Sequence, residues 1–190
     1  MFFSENISDE KAAPLFESLH QECNDIFTVD PYYVEGIVKY CQFLVKINNY
    51  SLAKSIYEES IDRFQMESDV DSVENAAILF VSLARLTYVI MREESECLDI
   101  YKRALISCNS SRYVFGNYIL HLSMTVGAIE GMLDEVVELI RSSNLTEQEK
   151  KDFCLKVKTL YEERGKSTRK VNEFLDSMKN SKHSLDQSSP

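Results

Sequence analysis

The sequence predicts an all-α fold, a stack of antiparallel helical hairpins. Three observations predict it. Apolar residues return every three or four positions along nearly the whole chain. Between Pro31 and Pro190 no proline interrupts a helix, and the 190 residues include only 5 Gly and 3 Pro. A related stretch of sequence also recurs after roughly 35–44 residues, the period of helical-hairpin repeats.

The first stripe is Ile37, Tyr40, Cys41, Leu44 and Ile47, one helix face. Asp30-Pro31 precedes it, Asp as a cap and Pro in the first turn. Ala53, Ile56, Tyr57, Ser60, Ile61 and Phe64 form the second stripe. Asn48 to Ser51 lie between the two, with Ser51 a candidate cap. Two helices joined by so short a loop pack antiparallel. Asp71-x-x-Glu74 reads as a capping box ahead of Leu79, Phe80, Leu83, Leu86 and Ile90. A turn over Arg92 to Ser95 leads to Cys97, Leu98, Ile100, Tyr101, Ala104, Leu105 and Cys108. The third pair carries Val114, Phe115, Tyr118, Ile119 and Leu122, turns near Gly127, and continues through Met132, Leu133, Val136, Val137 and Ile140. A second capping box, Thr146-x-x-Glu149, opens the fourth. Its stripe is Phe153, Val157, Leu160 and Tyr161; after a turn at Gly165 come Val171, Phe174, Leu175 and Met178. The expected units are a leading helix within 1–29 (Leu15, Leu19, Cys23, Ile26), hairpins at 30–66, 71–109, 111–143 and 145–179, and a disordered tail over 180–190.

Composition narrows the function classes. Lys and Arg number 21 against 31 Asp and Glu, a net charge of −10. Displacing counterions from phosphates needs cations in excess, so nucleic-acid reading by the whole surface is disfavoured. The most basic stretch is Lys150, Lys151, Lys156, Lys158, Arg164, Lys166, Arg169 and Lys170, interleaved with five carboxylates. It reads as a solvated face of mixed charge, with direct RNA binding through it as the alternative. Five cysteines stand singly, Cys23, Cys41, Cys97, Cys108 and Cys154, without the paired spacing of a zinc site or disulfide framework. They are expected to be buried free thiols. The start, Met1 to Asn6, lacks a signal-peptide pattern. The most apolar run, Ala76 to Met91, is broken by Ser82, Arg85 and Thr87. The expectation is therefore a protein that is neither secreted nor in a membrane, nuclear with the cytosol as alternative, whose Asn-x-Ser/Thr sequons are chance matches.

Catalytic motifs are absent. His20, His121 and His183 stand far apart, and no phosphate loop, zinc-protease or nucleophile-elbow motif occurs. A non-enzyme without cofactor or metal is expected; His121 is expected to pack or hydrogen-bond within a helix pair. Of ten Tyr, Tyr33, Tyr40, Tyr57, Tyr101, Tyr118 and Tyr161 fall on core stripes. Tyr32, Tyr50, Tyr88 and Tyr113 fit less well and are candidate interface anchors.

The self-similarity is visible residue by residue. Ala53-x-x-Ile56-Tyr57-x-x-Ser60-Ile61 aligns with Cys97-x-x-Ile100-Tyr101-x-x-Ala104-Leu105. Ile37-x-x-Tyr40-x-x-Phe43 aligns with Phe80-x-x-Leu83-x-x-Leu86. These residues resemble the half-a-tetratricopeptide (HAT) repeat, with its aromatic-x-x-Tyr-x-x-Phe helix followed by a small-x-x-Ile-Tyr-Glu-x-Ala-Leu helix. The Trp usual in that repeat is missing, for the chain has none. Leu145 to Gly165 and the Tyr101-Lys-Arg-Ala-Leu segment are similar to the C-terminal HAT units of the pre-mRNA-processing factor 39 family of the U1 small nuclear ribonucleoprotein, whose members are several times longer. The resemblance covers residues 30–179. It implies a right-handed solenoid with a repeat core of Tyr40, Phe43, Ile56, Tyr57, Leu83, Ile100, Tyr101, Tyr118 and Val137. It also implies a protein-binding scaffold of a splicing assembly, or of a polyadenylation or ribosome-biogenesis complex, in which RNA contact is at most indirect. Pairing through the last repeats, as homodimer or with a paralogue, is implied as well, over Phe153, Leu160, Tyr161, Val171, Phe174, Leu175 and Met178; the alternative is that Phe174 and its neighbours pack back on the third hairpin.

Overall fold

The stripes become buried helix faces in the computed structural model, which describes residues 34–66, 69–125 and 129–186; the leading helix expected within 1–29 lies outside them. Helix α1 (Val34–Lys46) buries Val34, Ile37, Tyr40, Cys41 and Leu44. It stops where Asn48 adopts a left-handed φ of 61°, a conformation Asn tolerates, and the Asn49 N–H donates back to the Leu44 carbonyl at 2.9 Å. Helix α2 (Tyr50–Gln65) returns along α1 and buries Ala53, Tyr57, Ser60, Ile61 and Phe64. Its cap position is Asn49, without a side-chain capping bond, and not the expected Ser51.

Helix α3 (Val70–Arg85) begins earlier than the Asp71-x-x-Glu74 pattern suggests. Asp69 caps it, accepting from the Ser72 N–H at 2.9 Å, while Glu74 accepts from the Ser111 hydroxyl of the next pair. The chain then continues as a π-helix over Leu86–Met91. The Thr87 hydroxyl donates to the Leu83 carbonyl at 2.9 Å, a side-chain bond that competes with the backbone ladder and favours such a bulge. The wider turn rotates the stripe: Leu86 stays buried, but Ile90, expected in the core, turns outward. Arg92 ends the element at φ 62°.

Helices α4 (Glu94–Ser107), α5 (Arg112–Met124), α6 (Ile129–Ser142), α7 (Glu147–Glu163) and α8 (Arg169–Asp186) follow. Helix α7 carries the full capping box: the Thr146 hydroxyl accepts from the Glu149 N–H and Glu149 accepts from the Thr146 N–H at 2.8 Å. Helix α8 runs past residue 179 to Asp186, so the disordered tail expected from 180 does not start there. From Arg169 onward no Gly or Pro interrupts the sequence before Pro190.

Every described element is helical, and the architecture is all-α. Packing joins α1 to α2, α2 to α3, α3 to α4, α4 to α5, α6 to α7 and α7 to α8. The first helices of successive pairs also touch in series, α1 to α3 to α5 to α7. Helix α5 leans on α3, α4 and α7 more than on its partner α6. Helix α3 is central, with Ala77, Leu79, Phe80, Val81, Leu83 and Ala84 fully buried. Contrary to the expectation from Ser82, Arg85 and Thr87, the 22 residues of Val70–Met91 are long and apolar enough to cross a bilayer. Half of the apolar window is buried, against α1, α2, α4 and α5.

Polar bridges tie one pair to the next. Lys54 on α2 pairs with Glu96 on α4, Lys102 on α4 with Glu135 on α6 at 3.0 Å, and Asp134 on α6 with Lys170 on α8. Arg112 on α5 pairs with Glu149 on α7. Each exposed pair contributes only about 0.2–1 kcal/mol. Their value is register, because they connect equivalent helices of neighbouring pairs.

Candidate functional site

The first helices of three successive pairs leave an open groove of about 690 Å³ between them. Gln42, Val45 and Lys46 come from the last turns of α1. Ser82, Arg85, Tyr88, Val89 and Ile90 come from α3 and its π turn, and Asn117, Leu120, His121 and Met124 from α5. Tyr57 and Tyr101, from the second helices, also line it. Large apolar side chains stand open here: Val89 is 50% exposed, Ile90 39%, Leu120 54% and Met124 56%. The π turn causes part of this, since it swings Val89 and Ile90 out of the α3 core face.

Beneath the groove lies an aromatic cluster around His121. Tyr88 meets its ring edge-on at 4.6 Å between centroids, and Tyr101 lies at 5.3 Å and is itself 5.2 Å from Tyr118. The Cys97 sulfur is 3.8 Å from His121 Nε2. This pair does not form a thiolate–imidazolium couple. Burial pushes the Cys97 thiol up to about 12 and lowers the imidazole below its usual 6.5, with Glu94 only partly offsetting the latter. Burial likewise raises Cys41, Cys108 and Cys154 to about 12. Among the described residues no three His, Cys, Asp or Glu side chains gather as a metal-holding group.

The depressed His121 sets a pH dependence. The unfolded chain binds a proton near 6.5 while the folded chain resists it, so this contribution is complete above pH 6.5 and is lost as pH falls below that value. Urea midpoints measured between about pH 7 and 5 are expected to fall, and to fall less steeply in His121→Asn. Equal slopes for the two proteins would remove His121 as the source.

Of the repeat-core residues read from the sequence, Tyr40, Tyr57, Leu83, Ile100, Tyr101, Tyr118 and Val137 are buried; Phe43 and Ile56 are half-buried against the core. Of the tyrosines read as anchors, Tyr88 lines the groove and Tyr113 is exposed on α5, away from it. Tyr50 bonds Asn48 at the α1–α2 turn, and Tyr32 lies outside the described residues, as does Tyr33.

In the last pair the stripe packs back on the third hairpin and is not an exposed interface. Phe153, Leu160, Tyr161, Val171 and Phe174, read as an exposed interface, are buried within the chain. Phe153 packs on Phe115 with centroids 5.8 Å apart, Arg141 lies over the Phe174 ring, and the Tyr161 hydroxyl bonds Asp134. The pair spends its stripe on α5 and α6. What remains is a shallow cleft at the α7–α8 end, where half-buried Leu175 and Met178 and the 45%-exposed Leu155 sit among Glu147, Lys151, Lys158 and Asp176. The basic stretch is also engaged. Arg164 donates to backbone carbonyls of α5, Lys170 pairs with Asp134, Arg169 with Glu173, and Lys156 lies over Phe153.

Leu120 and Met124 lie off the α5 stripe at i, i+4 spacing, which was the sequence signal for the groove; the rotation at Leu86–Met91 left none. No family model and no curated protein matches the chain. Among solved structures, the crystal structure of BtubC (BKLC) from P. vanneervenii is similar at 15% identity over 90% of this chain and 89% of that chain, with a TM-score of 0.31. A score that low does not place the two chains in one fold.

Proposed function

We propose that the chain is a right-handed solenoid of HAT-like hairpins serving as a protein-binding scaffold in an RNA-processing assembly, of the U1 small nuclear ribonucleoprotein type, in the nucleus. The repeat reading is supported by the serial packing α1–α3–α5–α7 and by bridges between residues 35–42 apart, such as Asn109–Asn144, Asp134–Lys170 and Lys54–Glu96. The observation that carries the binding function is the groove across three first helices, with four large apolar side chains open along it. Such a surface suits an apolar segment of another protein. Engagement of the C-terminal cations within the chain speaks against RNA as the direct ligand.

Affinity purification of the full chain from nuclear extract tests the proposal, with Leu120→Glu/Met124→Glu as the paired control. U1 proteins are expected with the wild type and reduced at least about tenfold with the control, because each lost apolar contact forfeits about 1.5–3 kcal/mol. Recovery of polyadenylation or ribosome-biogenesis factors would move the chain to that assembly. Tight RNA binding at physiological salt without protein partners would replace the scaffold reading.

A further inference from the structure

The charges around the groove are one-sided. Among the described residues its formally charged lining is Lys46 and Arg85, without an Asp or Glu, on a chain whose net charge is −10. His121, which also lines it, is buried and held neutral near pH 7. Both cations are exposed, and neither has a carboxylate partner among the described residues. Elsewhere Lys54, Lys102, Arg112, Arg169 and Lys170 are paired with carboxylates, while Arg92 and Lys151 resemble the groove cations in having no ion pair among the described residues. Arg85 is also oriented: its guanidinium donates to the Asn117 side-chain oxygen at 2.7 Å, which fixes it between α3 and α5. Lys46 stands at the end of α1, where the carbonyl dipole already favours a cation.

We propose that the groove takes an acidic amphipathic segment of a partner protein. Its apolar face lies on Val89, Leu120 and Met124, and its carboxylates meet Arg85 and Lys46. This rests on the scaffold reading above and specifies the partner's chemistry. An acidic chain repels acidic segments in general, so a cationic strip inside an apolar groove both attracts such a segment and sets its register. Arg85 suits this role, because its planar donors match a carboxylate in bidentate fashion and Asn117 has already ordered it.

Fluorescence anisotropy with the full chain and three labelled 18-residue helical peptides tests the proposal. The peptides share one leucine face and carry Glu, Gln or Lys on the other. The Glu peptide is expected to bind tightest, about tenfold better than the Lys peptide at low salt, with the gap closing as salt is raised. Lys46→Glu/Arg85→Glu is expected to reverse that order, a result that misfolding cannot produce. Equal binding of all three peptides would overturn the charge assignment while leaving the scaffold reading standing. Binding of none, with Leu15, Leu19 and Ile26 intact or changed to Ser, would overturn the proposal and leave the scaffold reading to the affinity purification. A Glu preference that survives the double substitution would place the preference elsewhere on the chain and overturn the proposal. Binding of the Glu peptide only after Leu15, Leu19 and Ile26 are changed to Ser would make the chain's own N-terminal segment the occupant, and would equally overturn it.

Discussion

Replacing Ile100 with alanine is expected to destabilise the chain by about 2–5 kcal/mol and to lower the melting temperature by roughly 5–15 °C. Ile100 is 2% exposed and sits on α4, which packs against both α3 and α5. Truncation there removes apolar contacts and leaves a cavity that helices held on two sides cannot collapse to fill. In a stack where each pair is stabilised by its neighbours, the loss is felt in the adjoining pairs as well. The position aligned with it in sequence, 44 residues earlier, makes an internal control. Ile56 aligns with Ile100 in sequence but is only half-buried, so Ile56→Ala is expected to cost clearly less. Thermal and urea unfolding of both variants would decide it. An unchanged melting temperature for Ile100→Ala, or equal losses at both positions, would show that α4 is not where this packing puts it.

That contrast illustrates what the sequence could convey. Periodicity located the helices because a buried face must recur every three or four residues, and the Thr146–Glu149 box marked a helix start because both partners lie within one turn. The all-α architecture follows from those local rules. Positions whose environment depends on a neighbouring pair were not legible. Phe174 and Leu160 look like an unsatisfied stripe until α5 and α6 supply their partners, and Ile56 and Ile100 look identical until their neighbours differ. The groove depended on a backbone event. Thr87 back-bonds to Leu83, the helix widens to a π turn, and Val89 and Ile90 leave the core, none of which alters the hydrophobic pattern of the sequence. Asp69 displaced Asp71 as the cap because both residue types suit that position and only geometry chooses between them.

Arg164→Ala is expected to have the second-largest effect, about 1.5–3 kcal/mol, from a residue that the sequence places in a run of mixed charge. Helix α7 ends in a Schellman turn: Gly165, at φ 63°, donates to the Glu162 carbonyl and the Lys166 N–H to that of Tyr161 at 2.8 Å. The turn sets Arg164 at the cap position, from which its Nη2 reaches the carbonyls of Leu122, Ser123 and Thr125 at 3.1, 3.2 and 2.7 Å. Those oxygens belong to the last turn of α5, where no further helical N–H exists to satisfy them and where the helix dipole favours a cation. One guanidinium thus finishes a helix of the preceding pair and fastens the two pairs together. Partial exposure of the side chain keeps the figure to that of about one charge-assisted bond rather than three. Arg164→Lys is expected to recover only part of the loss, since its ammonium sits on a shorter stem and is more strongly hydrated than the guanidinium whose Nη2 makes all three contacts. Hydrogen exchange gives the specific readout. In Arg164→Ala the amides at the end of α5, among them Thr125, which donates to His121, should exchange faster than those of α2, where no such contact is lost. Uniform acceleration along the whole chain would mean that Arg164 acts on global stability alone, and an unchanged urea midpoint would mean that these carbonyls are as well served by water.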